Sequence, residues 1–481
     1  MRRPRFMLPA IGFVIALAAV AGCGDDDGDG DGASPTPGTT GTPAATAAPT
    51  RPPFDITSPV TIDFWHSMTA SNTTALEALV KEFDAAEPNI SVNLVFQGSY
   101  TDSFNKLVAL GINASDAPAL IQLEDVLTQT MVDSKKAVTL QEFVDRDKFD
   151  TSAFLPQVRD YFTLDGALRS MPFNVSNPIM YYNANVWRAA GLDPANPPKD
   201  FDELAKACEA LMIKDGTRIK RHCIAMDISS WYFEQWLAKQ DALLVNNGNG
   251  RDGRATEAVF NSAEGLRVFQ WWADGVKSGL ILNVGINPSG PDALLALVNP
   301  DGGAAIAIQS SANLRSVVDF LNSNPSLNVE LAAGTLPAPT PGGKGMVIGG
   351  ASLWIPATGQ TAKEEAAWRL TKFLVSAESQ AKWHAASGYY PLRTDSLALP
   401  VVQELYKSYP QFRVLAADLE TGPNTRATQG ALMGPSQQVR AAIATSIEEM
   451  VLKSVSPEQA INKAADQATG ELERYNRVVV R

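Results

Sequence analysis

From Val60 onward the apolar positions change rhythm at regular intervals. Val60 to Trp65 reads as a strand, and Leu76, Leu79, Val80 and Phe83 then recur at the spacing of one helical face. Glu87, Pro88 and Asn89 close that helix, after which Ile90, Val92, Leu94 and Phe96 alternate as in a half-buried strand. A turn at Gln97 to Tyr100 leads to a second helix with Phe104, Leu107 and Val108 on one face, and Ala119 to Leu123 forms a third strand. This βαβαβ order predicts a largely parallel sheet, whose ligands bind beyond the carboxyl ends of the strands. Trp65, His66, Tyr100 and Asp125 are therefore expected at one edge. Glu124 and Asp125, as neighbours along a strand, are expected to point to opposite faces and not to form a facing pair.

The stretch Met171 to Asn183 carries two prolines, three asparagines and a pair of tyrosines. Each proline holds its own φ and pushes the preceding residue out of the helical region, so the segment should be extended and stiff. It reads as a strand crossing between two lobes, with Ser176 on the wall of the cleft between them. An ordinary loop inside one domain is the alternative.

Beyond it, Phe201, Leu204 and Leu211 mark a helix, Ile224 to Met226 a short strand, and Trp231, Phe233, Trp236 and Leu237 an aromatic-rich helix. Ala258 to Gly279 is helical, and Gly303 to Ile308 is a buried strand. Ser310 to Asn313 then opens a helix with an N-cap signature. Ile348 to Ile355 is a strand whose glycines offer backbone to a ligand. Four helices fill the C-terminal third: Lys363 to Val375, Glu378 to Ala386, Gln437 to Ser454, and Pro457 to about Tyr475.

The first residues do not belong to this pattern. Arg2, Arg3 and Arg5 precede a run from Leu8 to Ala21 that is short for a transmembrane helix. It ends in Val20-Ala21-Gly22-Cys23, which resembles the lipobox of bacterial lipoproteins. On that reading residues 1–22 are a signal peptide, and Cys23 is lipidated and holds the chain on the outer face of a membrane. A plain secretory signal is the alternative. Residues 23–55 are then the lipidated cysteine and a disordered tether, rich in Gly, Asp, Ser, Thr and Pro. Such a tether spans about 30 Å relaxed and about 100 Å stretched.

The remaining length, about 430 residues, exceeds one compact core and suits two lobes. The formal charge of -12 argues against a nucleic-acid partner. Cys208 and Cys223, fifteen residues apart, are either a disulfide or two buried thiols.

Catalytic signatures are sparse. His66, His222 and His384 form no zinc pattern, and neither a phosphate-binding glycine loop nor a Gly-x-Ser-x-Gly elbow occurs. No metal, cofactor or catalytic residue is expected. The groups that stand out suit recognition: Tyr100, Trp231 and Tyr389 as flat walls, Ser176 and Ser310 as hydroxyls, Gly350 as an accessible N–H, and Arg440 as a fork for phosphate or carboxylate. Each also has a plainer reading, as core aromatic, helix cap or surface ion pair.

Several motifs sharpen this picture. They are Phe64 to Met68, Gln97 to Tyr100, Pro172-Phe173-Asn174, Pro178, Tyr181-Tyr182-Asn183, Gly191 to Pro194, Ile348 to Trp354, and Trp383-His384 with Gly388-Tyr389. Together they resemble the family-1 extracellular solute-binding proteins of bacterial ABC importers, in the branch that takes glycerol phosphate. The resemblance implies an α/β fold, a two-lobed periplasmic-binding-protein clamshell of type II, like maltose-binding protein, with the ligand cleft between lobes. It implies lobe 1 from 56–173 plus 303–352 and lobe 2 from 174–302 plus 353–481. It also implies a monomer that hands a small molecule to permease transmembrane subunits without altering it. Tyr100, Asp125, Ser176, Trp231, Ser310, Gly350, Tyr389 and Arg440 fall where that branch contacts ligand. Asp125 stands where that branch has glutamate. Ile228 replaces an aromatic, which is expected to leave room for a group esterified to the phosphate. The ligand so implied is a glycerophosphodiester, then glycerol 3-phosphate. A sugar receptor of the same fold, or an exported hydrolase, are the other readings.

Overall fold

A computed structural model describes residues 51–111, 116–286 and 290–479. The signal peptide, Cys23 and the tether up to residue 50 lie outside the described residues. In chain order the principal strands are β1 (Val60–His66), β2 (Ile90–Phe96), β3 (Leu120–Glu124), β4 (Met171–Ser176) and β5 (Pro178–Asn183). They continue with β6 (Arg218–Met226), β7 (Ile281–Asn283), β8 (Gly303–Ser310), β9 (Leu331–Thr335) and β10 (Gly349–Trp354). The helices that matter below are α1 (Ala70–Ala86), α2 (Tyr100–Leu110), α3 (Pro156–Tyr161), α4 (Phe201–Leu211), α5 (Ser230–Ala238) and α6 (Ala263–Ser278). They are followed by α7 (Leu314–Ser323), α8 (Thr361–Leu374), α9 (Ala377–Ala386), α10 (Ser436–Lys453) and α11 (Pro457–Val479).

Two sheets result. The first runs β2-β1-β3-β10-β4, with β1 parallel to β2 and β3, and β10 antiparallel to both of its neighbours. The second runs β7-β6-β8-β5-β9, parallel across β7, β6 and β8 and antiparallel on either side of β5. The predicted βαβαβ unit is present, with Leu76, Leu79, Val80 and Phe83 of α1 buried as their spacing requires.

The stretch Met171 to Asn183 is two strands, not one. β4 closes the first sheet and β5 enters the second, with Asn177 between them. Both prolines sit where a missing N–H is tolerated. Pro178 is the first residue of β5, and opposite Pro172 the register of β10 slips between Ala351 and Ser352.

The lobe boundaries differ from those expected. β8 and β9 pair in the second sheet, so residues 303–335 belong to lobe 2. Helices α8 and α9 pack against β1 and α1, so 361–386 belong to lobe 1, while α10 and α11 pack on α5 and α6 in lobe 2. A short apolar run such as Gly303 to Ile308 carries no signal for the sheet it joins; only pairing decides.

One further expectation changes, and one open alternative is settled. The last residues of the expected tether are held on lobe 1: Arg51 pairs with Glu364 and lies 4.6 Å above the ring of Phe143, and Ile56 is buried. Cys208 and Cys223 form a disulfide with Cα atoms 5.2 Å apart, fastening the end of α4 to β6.

Candidate functional site

The carboxyl end of β3 supplies the first group. The strand stops at Glu124, and Asp125 begins a single tight turn instead of continuing the alternation. Both acids therefore approach the same cation, contrary to the expectation that they diverge. Asp125 is 2% exposed, and Tyr161 at the end of α3 donates to its Oδ2 at 3.0 Å.

That cation is Arg440, in the second turn of α10. Its Nε and Nη2 donate to Glu234 Oε1 and Oε2 at 2.7 and 2.8 Å, the bidentate geometry that suits a carboxylate. Its Nη1 reaches Glu124 Oε1 at 3.4 Å. Arg440 and Glu234 stand on lobe 2, and Glu124 and Asp125 on lobe 1, so the cluster spans the seam. Burial pushes the Asp125 carboxyl up to about 7, with the Glu124 and Glu234 charges adding to it and Arg440 opposing. Burial raises Glu124 as well, again opposed by Arg440. Burial disfavours the charge of Arg440, but the carboxylates more than offset it and hold the guanidinium firmly protonated.

The aromatic wall is built on lobe 1. Ser99 caps α2 through a reciprocal pair with Asp102, which fixes Tyr100 at the helix start. Asn174 of β4 donates to the Tyr100 hydroxyl at 3.1 Å, and Gln122 of β3 donates to Asn174 Oδ1 at 2.7 Å. The Ser67 backbone N–H then donates to Gln122 at 3.1 Å. Tyr100 and Tyr389 are hydrogen-bonded to each other. Tyr389 stacks on Trp383 with centroids 5.6 Å apart and planes 11° off parallel. The ring of His384 bonds its carbonyl oxygen at 2.8 Å. The motifs at 64–68, 172–174 and 383–389 are thus one connected support.

Glycines bring the backbone of β10 close. Gly350 has φ +112, and a Cβ there would collide with the Asn174 carbonyl of β4. A Cβ at Gly349 would overlap the indole of Trp231. Ser176 lies opposite Gly349 and is buried. Trp231 is half-buried, and its Nε1 has no protein partner. Ser310 ends β8 and accepts from the Ala312 N–H at 3.2 Å, so its cap role is real. It stands beside the crossing, since the Ser311 N–H donates to the Asn177 carbonyl at 2.8 Å. A Cβ at Gly388 would meet the Ser311 carbonyl, which sets Tyr389 next to this corner.

The structure links these residues in groups: Asp125 with Arg440, Tyr100 with Tyr389 and, through Asn174, with Gly350, and Trp231 with Gly349 opposite Ser176, while Ser310 lies beside the crossing. Tyr100, Asp125, Ser176, Gly350 and Tyr389 come from lobe 1, and Trp231, Ser310 and Arg440 from lobe 2. Sequence reasoning missed Glu234, Tyr161 and the role of Glu124. Glu234 was findable in principle: it follows Trp231 by three positions on an apolar helix, so it shares that face. Ile228 is a correction. It is wholly buried in the second core with Met226, Tyr232 and Trp236, and opens no space in the cleft.

The lobes touch on both flanks of the site. Ser71 meets Ser316 at 2.8 Å on one side. On the other, Gln437 donates to Thr101 and Thr130 to the Gly434 carbonyl, both at 2.7 Å. Arg254 forks onto Asp133 at 2.8 and 3.0 Å. A cavity of about 420 Å³ lies between this flank's elements, lined by Gln129, Asp160, Arg251 and Arg426 among others. Its arginines are engaged: Arg426 by Asp252, Arg254 by Asp133, and Arg251 by the carbonyls of Gln429 and Gly430. It offers no free cation to an anion. Among the described residues no group of acids, histidines and cysteines is arranged to hold a metal.

A family model described as bacterial extracellular solute-binding protein matches residues 78–414. The sn-glycerol-3-phosphate-binding periplasmic protein UgpB of Salmonella typhimurium is 28% identical over 426 residues, 87% of this chain and 93% of that protein. Its counterpart from Yersinia pestis is 28% identical over 421 residues, 86% and 92%. Among solved structures, UgpB from Mycobacterium tuberculosis in complex with glycerophosphocholine superposes with a TM-score of 0.71 at 18% identity, covering 86% of this chain and 99% of that one. The sugar-binding protein MalE from Xanthomonas citri gives 0.71 at 19% identity, covering 88% and 100%. Both share the two-lobed α/β fold described above.

The raised Asp125 carboxyl has a consequence for stability. Its pKa is 3.8 ordinarily and about 7 here, so between those values the folded chain holds a proton that the unfolded chain has released. Stability is then fullest below pH 4 on this account and falls as pH rises towards 7, by at most about 4 kcal/mol. Asp125→Asn is expected to flatten the fall in melting temperature between pH 5 and 8. An unchanged slope would show that Asp125 is ionised throughout.

Proposed function

Since the chain belongs to the bacterial extracellular solute-binding proteins, the receptors of ABC importers, we propose that its ligand is a glycerophosphodiester such as glycerophosphocholine, with glycerol 3-phosphate second. One observation carries the reading. Arg440 is enclosed at the seam between lobes, with the hydroxyl of Ser176, the Gly350 backbone and the Tyr100 and Tyr389 pair at the same seam. A guanidinium fork, hydroxyls and a glycine N–H suit a phosphate, and flat phenols suit a glycerol backbone. The relatives named for glycerol 3-phosphate support the same class.

Binding needs no bond-breaking step. The ligand enters while the lobes are apart, and contacts from both halves favour the closed arrangement, in which Arg254–Asp133 and Gln437–Thr101 join the lobes. The closed form then presents both lobes to the permease transmembrane subunits, and the solute leaves unaltered. Tyr100, Asp125, Ser176, Gly350 and Tyr389 hold it from lobe 1, and Trp231, Ser310 and Arg440 from lobe 2.

A sugar receptor is the second reading, favoured by the carboxylates around Arg440, which accept hydroxyl hydrogen bonds. On that reading Arg440 serves only to neutralise acids. We also propose that Cys23 carries the lipid anchor and residues 24–50 the tether, so that a monomer works on the outer face of the cell membrane.

Calorimetric titration is expected to give heat with glycerophosphocholine and glycerol 3-phosphate, and Arg440→Ala to weaken both by about 100-fold, or about 2.7 kcal/mol. Heat with a disaccharide alone, unaffected by that substitution, would establish the sugar reading. Cys23→Ser is expected to release the chain from membranes in fractionated cells; retention would place the anchor elsewhere.

A further inference from the structure

Arg440 is not idle in this structure. Glu234 takes Nε and Nη2, one of the two bidentate edges of the guanidinium, at 2.7 and 2.8 Å. Both residues stand on lobe 2, on helices α5 and α10 that pack together, so opening the lobes does not part them. Glu124 and Asp125 add two more acid side chains from lobe 1. One guanidinium thus faces three acids.

We propose that Glu234 is a specificity-determining residue that admits a phosphate only when the same ligand carries a cationic group. This rests on the phospho-ligand reading above. A phosphate that takes the Nε and Nη2 edge of Arg440 displaces Glu234, and the Nη1 side already faces Glu124 at 3.4 Å. The released carboxylate belongs to a side chain only 9% exposed, and an enclosed charge left without a partner is strongly unfavourable. A dianionic monoester adds negative charge where acids already outnumber the one guanidinium, and offers Glu234 no counter-ion. A zwitterionic phosphodiester brings a substituted ammonium, which replaces Arg440 as the counter-ion of Glu234.

The neighbour that such a cation needs is in place. Trp231 precedes Glu234 by three residues on α5, so the two share a helix face, and its half-buried indole lies within contact of Gly349. An aromatic face beside a carboxylate is a site for an alkylated ammonium. The partner exchange therefore couples the two ends of one ligand: the phosphate end goes to Arg440 and the cationic end to Glu234 and Trp231.

The test compares glycerophosphocholine with glycerol 3-phosphate by calorimetry on the purified chain, for the native sequence, Glu234→Gln and Glu234→Asp. The native chain is expected to prefer the zwitterion by about tenfold or more. Glu234→Gln frees the guanidinium without changing side-chain size, and is expected to tighten glycerol 3-phosphate about tenfold while weakening glycerophosphocholine. Glu234→Asp keeps the charge and is expected to keep the preference. If both compounds bind and Glu234→Gln leaves their ratio unchanged, or if Glu234→Asp alone abolishes the preference, the proposal is overturned. If neither compound binds the native chain, it is the phospho-ligand reading itself that fails.

Discussion

A guanidinium set among three acid side chains stands where the two halves of this molecule meet. Arg440 and Glu234 approach from one lobe, Glu124 and Asp125 from the other. Taking these charges out of water is costly, and their attraction offsets the cost only while the geometry is kept. The cluster holds together because each acid has a second reason to be there: Asp125 is held by the Tyr161 hydroxyl, and Glu234 by the helix that also carries Trp231. The charge balance is nonetheless negative, and Asp125 relieves part of it by keeping its proton towards neutral pH. A site so arranged is poised for a ligand that rearranges its ion pairs.

The first lobe meets this cluster with a rigid, neutral surface. A single run of hydrogen bonds passes from Ser67 through Gln122 and Asn174 to Tyr100, and Tyr389 joins it on a base of Trp383 and His384. The run crosses β3, β4 and the start of α2, so three elements set one phenol. The glycines of β10 let these strands and the indole of Trp231 come within contact of the same backbone. Polar groups that could each have been satisfied by water are instead satisfied by one another, which fixes their positions ahead of any ligand.

Much of the fold was legible because it rests on periodicity. The helical face of α1 and the alternation of β2 follow from side-chain spacing alone, and each parallel strand is followed by the helix its connection requires. Pairing partners were not legible. β8 and β9 read as ordinary apolar runs, and nothing in Gly303 to Ile308 says that they join β5 and not β10. In the site, residues with unusual chemistry at the ends of strands and helices stood out, and several are linked, as Asp125 is to Arg440 and Tyr100 to Tyr389. Glu234 did not, because a lone acid on an aromatic helix looks like a solvated position until its partner from residue 440 is known. Glu124 and Asp125 depart from strand alternation because the strand ends at Glu124 and the chain turns at Asp125, a change of geometry that spacing alone does not reveal.

The most direct test of the central claim is a crystal structure of the chain with glycerophosphocholine. The phosphate should sit on the fork of Arg440 within reach of Ser176 and Gly350, with Glu234 turned from the guanidinium to the quaternary ammonium. Ligand density away from the seam, or Arg440 still forked onto Glu234 beside a bound ligand, would contradict the account.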